Sequence, residues 1–131
     1  MKLSLKQEHI DLMIEHSKKE VPAEACGVLA GLGNNVAKVF TMTNDEHSNS
    51  RYLVNPKEQF AVFKQIREEG LELLGVYHSH VASEAYPSQT DCRLAAYDIA
   101  YFIISLQNEE PAVKAYRIKD DNISEEEYEV L

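Results

Sequence analysis

No stretch of this 131-residue chain approaches the roughly 20 apolar residues needed to span a bilayer. The longest apolar run, Ile99 to Leu106, includes Tyr101 and Ser105 and reads as a buried strand. The opening residues, Met1 to Glu8, lack the apolar core and small-residue cleavage site of a secretory signal. A cytoplasmic protein without a membrane partner is therefore expected. Basic residues are scarce as well, 13 Lys and Arg against 22 Asp and Glu, for a net charge of -9. Phosphate recognition rests on clustered cations, so no nucleic-acid partner is expected. Only two cysteines occur, Cys26 and Cys92, and a reducing cytosol favours free thiols at both. Internal repeats and low-complexity tracts are absent too.

What is present is an ordinary folding composition, 44% hydrophobic and 27% charged, which excludes a disordered chain. The length suits one domain over residues 1–131. Apolar residues at Leu5, Ile10, Leu12, Met13 and Ile14 predict a first helix from Leu5 to Glu20, capped by Ser4 and ended near Pro22. Cys26 to Ala30 and Val36 to Met42, separated by a Gly/Asn-rich turn, predict a β-hairpin. Tyr52 to Val54 reads as a brief strand. A second helix opens at Pro56 and stops at Gly70. Glu72 to Tyr77 reads as a strand running into His78-Ser79-His80, and a third helix, with Leu94, Ala95 and Ala96 among its apolar members, opens at Ser88. Two more strands follow, Ile99 to Leu106 and Ala112 to Ile118. In the acidic tail, Tyr128 and Val130 alternate with Glu127 and Glu129 as in a charged edge strand. The sum is an α/β fold, a mixed, mostly antiparallel sheet flanked by helices.

The chemistry gathers in one segment. Two histidines at i and i+2 of a strand face the same side, so His78 and His80 can reach one metal while Ser79 points away. Alone, a His-x-His pair reads better as two solvent-facing imidazoles at a strand end. The full string is His78-Ser79-His80-x7-Ser88-x2-Asp91. Asp91 lies one helical turn inside the Ser88 cap, from where a carboxylate can turn back toward the strand end. Ser-x-x-Asp is also a capping box, which by itself accounts for those two residues. It does not account for the paired histidines, and the joint pattern favours a metal. Two His and one Asp leave a fourth tetrahedral position for water, the mark of a catalytic rather than a structural zinc site. Such a site needs a general base, and spacing alone selects none of the acids.

The string, together with Glu24-Ala25-Cys26-Gly27-Val28-Leu29-Ala30-Gly31 upstream, resembles the signature of the JAMM (MPN-plus) metallopeptidases, the zinc-dependent deubiquitinases and their compact prokaryotic relatives. The resemblance implies a fold similar to the cytidine-deaminase architecture. It implies one Zn2+ per chain on His78, His80 and Asp91, with Glu24 as general acid/base and Ser88 as oxyanion stabiliser. It further implies hydrolysis of an amide at the C-terminal tail of a ubiquitin-like or sulfur-carrier protein, a glycine-rich tail suited to adding beside a sheet edge. Many relatives carry Pro after the second His where this chain has Val81, so the loop over the site is expected to have its own shape. The competing reading is a catalytically silent MPN-type interaction module, against which all five residues are retained. A zinc nucleoside deaminase expects His-x-Glu and a later Pro-Cys-x-x-Cys, and neither is present.

The remaining candidates read as structure. His9 and His16 sit seven apart on the first helix at surface or half-buried positions, and Cys26 and Cys92 as packing. His47 is a weak candidate for substrate contact. Asn44 and Ser50-Arg51-Tyr52 either border the cleft or serve turn chemistry, and stay outside the catalytic set.

Overall fold

The computed structural model describes residues 2–48 and 53–131. Their elements in chain order are β1 (Leu3–Leu5), α1 (Gln7–Glu20), β2 (Cys26–Leu32), β3 (Asn35–Met42), α2 (Pro56–Glu68), β4 (Glu72–His80), α3 (Gln89–Leu94), β5 (Ala100–Ser105), β6 (Ala112–Lys119), β7 (Asn122–Glu126) and β8 (Tyr128–Val130). The strands form one mixed sheet in the order β7-β6-β5-β4-β2-β3-β1-β8. Pairs β2–β3, β2–β4, β5–β6 and β6–β7 are antiparallel; β4–β5, β1–β3 and β1–β8 are parallel. Strand β4 lies in the interior of the sheet, and its last residues are the paired histidines.

Alternation along the strands divides the core between two faces. Leu29, Tyr77, Phe102 and Ile104 point toward α1 and pack with Met13 and Leu5. Val28, Met42 and Ala30 point the other way, toward Ile66 of α2. Further along that second face, Tyr101, Ile103 and Tyr116 pack with Cys92 and Ala95. Full burial of each large side chain is worth roughly 1.5–3 kcal/mol, so both layers are firmly seated. Gly27 is required by this packing. A Cβ there would collide with the Tyr77 ring and the Phe40 carbonyl.

Several expectations change in the structure. The first helix begins at Gln7, not Leu5, because Leu3, Ser4 and Leu5 are taken by pairing with β8. Ser4 therefore caps nothing, and its hydroxyl donates to Glu129 Oε1 at 2.6 Å. The third helix ends at Leu94, and Ala95 is already extended, since the chain must turn directly into β5. Of the expected strand at 52–54, Val54 forms an isolated bridge with Asn44, and Tyr52 lies outside the described residues. The tail does form an edge strand, β8, seated by Tyr128 against Phe102 with ring centroids 5.3 Å apart. It is preceded by an additional strand, β7. Among the described residues no helix is long and apolar enough to cross a membrane.

Candidate metal centre

The end of β4 sets the site. Strand alternation turns His78 and His80 to the α2/α3 face and Ser79 to the opposite side. All three are buried, at 2%, 4% and 0% exposure. Ser79 fixes the neighbouring chain at two points: its Oγ accepts from Ala25 N at 2.8 Å, and its N–H donates to Ala25 O at 3.0 Å. The residue before that clamp is Glu24.

The third ligand candidate arrives on α3. Ser88 Oγ accepts from Asp91 N at 3.0 Å, and Ser88 N donates to Asp91 Oδ2 at 2.9 Å. This is a complete capping box, so the capping and metal readings of Ser-x-x-Asp coincide. The box holds the Asp91 carboxylate in the orientation that also presents Oδ2 to the imidazoles. Oδ2 lies 3.1 Å from His78 Nε2 and 3.0 Å from His80 Nε2, and the two nitrogens are 3.2 Å apart.

That triangle fits a tetrahedral metal. Bonds of about 2.0–2.1 Å place the ligand atoms of a tetrahedral zinc about 3.3 Å apart, close to the spacing observed. The chemistry of the donors agrees. His80 Nδ1 lies 2.8 Å from Glu84 O, a carbonyl that can only accept, so Nδ1 carries the hydrogen and a neutral ring turns its Nε2 lone pair to Asp91 Oδ2. Two acceptors at 3.0 Å require a cation between them, a proton or a metal ion. Without a metal, a proton partly fills this role. Burial is the largest single influence on His80 and opposes its charge, but the hydrogen bonds to Asp91 and Glu84 O and the charges of Asp91 and Glu24 together raise the imidazole above its ordinary value. Burial likewise opposes charge on Asp91, while the His78 and His80 hydrogen bonds hold its carboxyl well below the usual carboxylate range. Among the described residues this trio is the group whose ligand atoms converge as a metal site requires.

Glu24 lies beside the trio and is 3% exposed. Its Oε1 is buried and has no hydrogen-bond partner among the described residues. Burial pushes its carboxyl up to about 7; the charge of His80 opposes the shift and that of Asp91 adds to it. A carboxyl poised there exchanges protons readily at neutral pH. The five residues singled out from the sequence thus cluster: His78, His80 and Asp91 by contact, Ser88 through the box, and Glu24 within electrostatic range.

The loop after His80, which opens with Val81, is held through three of its carbonyls. Glu84 O faces His80, Ser105 Oγ donates to Ser83 O at 2.6 Å, and the Tyr116 hydroxyl donates to Ala85 O. On the same sheet face, one pleat from His78, Val76 helps line an apolar hollow of about 110 Å³ with Val28, Phe63, Leu94 and Tyr101. The other histidines are structural or peripheral. His9 is buried, beyond the half-buried position expected, and its Nδ1 accepts from Lys6 N at 3.1 Å. His16 Nδ1 lies 2.7 Å from the Tyr77 hydroxyl, and His47 sits in the 44–48 turn at φ 49°. Cys26 and Cys92 are free thiols. Of the residues left outside the set, Ser50-Arg51-Tyr52 fall outside the described residues, whereas Asn44 is 1% exposed and its Nδ2 donates to Glu24 O at 3.1 Å. Its signal was a lone Asn in a polar loop, indistinguishable in sequence from turn chemistry.

Residues 6–119 match the family model described as prokaryotic homologs of the JAB domain. The CysO-cysteine peptidase of Mycobacterium tuberculosis is 33% identical over 134 residues, covering 98% of this chain and 91% of that protein. A probable TtuB-protein conjugate cleaving protease of Thermus thermophilus is 35% identical over 89 residues, covering 67% of this chain and 60% of that protein. Among solved structures, a Desulfitobacterium hafniense protein superposes with a TM-score of 0.89 at 35% identity, covering 98% of this chain and 92% of that one. With its fold, its His78-His80-Asp91 triangle and a relative matched over nearly all of both chains pointing the same way, the chain belongs to the compact prokaryotic branch of the JAB-domain (JAMM) family.

Proposed function

We propose that this chain, as one domain over residues 1–131, is a cytoplasmic zinc-dependent peptidase. It hydrolyses an amide at the C-terminal tail of a ubiquitin-like or sulfur-carrier protein. The observation that carries the reading is the buried triangle of His78 Nε2, His80 Nε2 and Asp91 Oδ2, 3.0–3.2 Å on a side, with the Glu24 carboxyl beside it pushed up to about 7. The substrate class rests on what the Mycobacterium and Thermus relatives are named for, CysO-cysteine and TtuB conjugates.

Zinc held by the three ligands supplies a water of lowered pKa and a Lewis acid for the scissile carbonyl. Glu24 takes the proton of the attacking water and delivers it to the leaving amine. Ser88 Oγ already accepts the Asp91 amide, so its hydroxyl hydrogen is directed elsewhere and donates to the developing oxyanion. Ser79, clamped to Ala25, keeps the two sides of the site in register. Among the described residues the edge strands β7 and β8 are separated from β4 by two and three strands, so a tail added at either edge would lie away from the site.

The silent-module reading would leave the ligand triangle and the buried Glu24 without a purpose. The deciding experiment measures metal by mass spectrometry and hydrolysis of the CysO–cysteine adduct, for wild type and for His78→Ala/His80→Ala. About one zinc per chain and measurable cysteine release, both lost in a folded double variant, are the expected results. Equal, negligible metal in the two proteins after zinc is supplied would defeat the hydrolase reading in favour of the interaction module.

A further inference from the structure

Glu24 precedes β2 and so gains no place from the sheet ladder. Its backbone is held from outside. Glu24 N donates to Ser48 O at 2.7 Å, and Asn44 Nδ2 donates to Glu24 O at 3.1 Å. Asn44 is itself fixed at its other end: Oδ1 accepts from Glu46 N and from Leu53 N, each at 3.0 Å. Its backbone bridges Val54, while Asp45 N donates to Leu53 O at 2.7 Å. A single buried amide thus ties the 44–48 turn and the chain entering α2 to the carbonyl of Glu24.

We propose that Asn44 is a positioning residue for the Glu24 carboxyl group. The proposal rests on the reading of Glu24 as the acid/base. On the other side, Ala25 N and O are both bound by Ser79, so the four backbone polar groups of Glu24 and Ala25 are all engaged. Glu24 O and Ala25 N belong to one planar peptide, which Asn44 Nδ2 and Ser79 Oγ hold from opposite edges; without the Asn44 bond, the bond from Ala25 N to Ser79 Oγ is left to resist its rotation. Proton transfer demands placement to within a fraction of an ångström, and a misplacement of about 1 Å costs up to about 100-fold in rate. The amide is suited to this because it donates at one end and accepts two bonds at the other, which no charged residue of the same size does.

Asn44→Asp tests the idea most cleanly. It keeps an oxygen for Glu46 N and Leu53 N but sets a second acceptor against Glu24 O. With CysO–cysteine as the probe, the expected result is a kcat lowered about 10- to 100-fold, with KM and zinc content near wild type. Amide hydrogen exchange should quicken at Glu24 while Ala25 and Cys26 keep their protection. In a double-mutant cycle the same substitution made on Glu24→Gln should have little further effect on kcat, because a residue that acts only through Glu24 has nothing left to act on. A full, additive loss in that background, or an unchanged kcat in the single variant, overturns the proposal. Should Asn44→Asp not fold, Asn44→Ser, too short to reach Glu24 O, is carried through the same cycle with the same criteria. If wild-type protein cleaves no adduct, or Glu24→Gln alone keeps full activity, the acid/base reading itself fails and takes the proposal with it.

Discussion

Ser79 and Ala25 are joined by two hydrogen bonds, Ala25 N to Ser79 Oγ at 2.8 Å and Ser79 N to Ala25 O at 3.0 Å, both fully buried. The serine is the middle residue of the His-Ser-His segment; the alanine follows Glu24. Each side chain that points into the site from β4 therefore has, on its reverse side, a bond to the segment that carries the proposed proton acceptor. The candidate metal ligands and the proposed acid/base are tied through one hydroxyl.

Ser79→Ala leaves the Ala25 N–H buried without an acceptor, at a cost of about 1–3 kcal/mol. Thermal unfolding of the metal-free variant should report that loss. Zinc content should be retained, since neither histidine is touched, while kcat falls because Glu24 gains freedom. Wild-type stability together with wild-type kcat would show that the clamp has no role in either.

Glu24 makes the metal-free protein sensitive to pH. Its folded value, about 7, lies above the ordinary 4.5, so the folded state binds the proton more tightly than the unfolded one. Stability from this group is full below pH 4.5 and declines as pH rises through 7. Glu24→Gln removes the decline. At about 1.4 kcal/mol per pH unit, discounted for solvent screening in the cleft, the variant should be about 1–2 kcal/mol more stable than wild type at pH 8 and equal to it near pH 4.5. Chemical denaturation with a chelator present at both pH values tests the crossing, and a variant less stable at pH 8 contradicts the burial argument.

Much of the centre was legible because its residues obey local rules. Strand alternation put His78 and His80 on one face, and a helix cap put Asp91 one turn from Ser88. The strands that went unread depend on distant partners. Leu3 to Leu5 looks like the start of an amphipathic helix until β8, more than 120 residues later, claims it. The turn into β7 rests on Asp120 and Asp121 at φ 50° and 66°, a left-handed pair that Asp tolerates, but in sequence it merges with the acidic tail. Asn44 is the sharpest case. Its role lies in a bond to a residue 20 positions away, and no local pattern announces such a bond.

Zinc uptake should compete with a proton. The Asp91 hydrogen bond raises His80 against the opposing effect of burial, so below that raised value the imidazole must lose a proton before it can ligate. Apparent affinity should fall about tenfold per pH unit for one displaced proton as the medium is acidified. Calorimetric titration with zinc in two buffers of different ionisation enthalpy measures the protons released. An affinity independent of pH between 5 and 8 would mean that His80 is not a ligand.

The helix-capping task of Ser88 and its proposed catalytic task can be separated by one substitution. As N-cap it accepts the Asp91 amide and orients the carboxylate that faces the histidines; as proposed, its hydroxyl hydrogen also stabilises the oxyanion. Ser88→Asp preserves an acceptor for the cap, and aspartate is as good at that position as serine, but at neutral pH it offers no hydrogen and adds a negative charge near the reaction. The variant should unfold within about 1 kcal/mol of wild type while kcat drops by about 100- to 1,000-fold, the usual loss of one oxyanion donor. Ser88→Ala gives the complementary result, losing about 0.5–2 kcal/mol from the missing cap as well as the rate. If Ser88→Asp instead keeps its rate, the oxyanion is stabilised without Ser88, and the serine serves the helix alone.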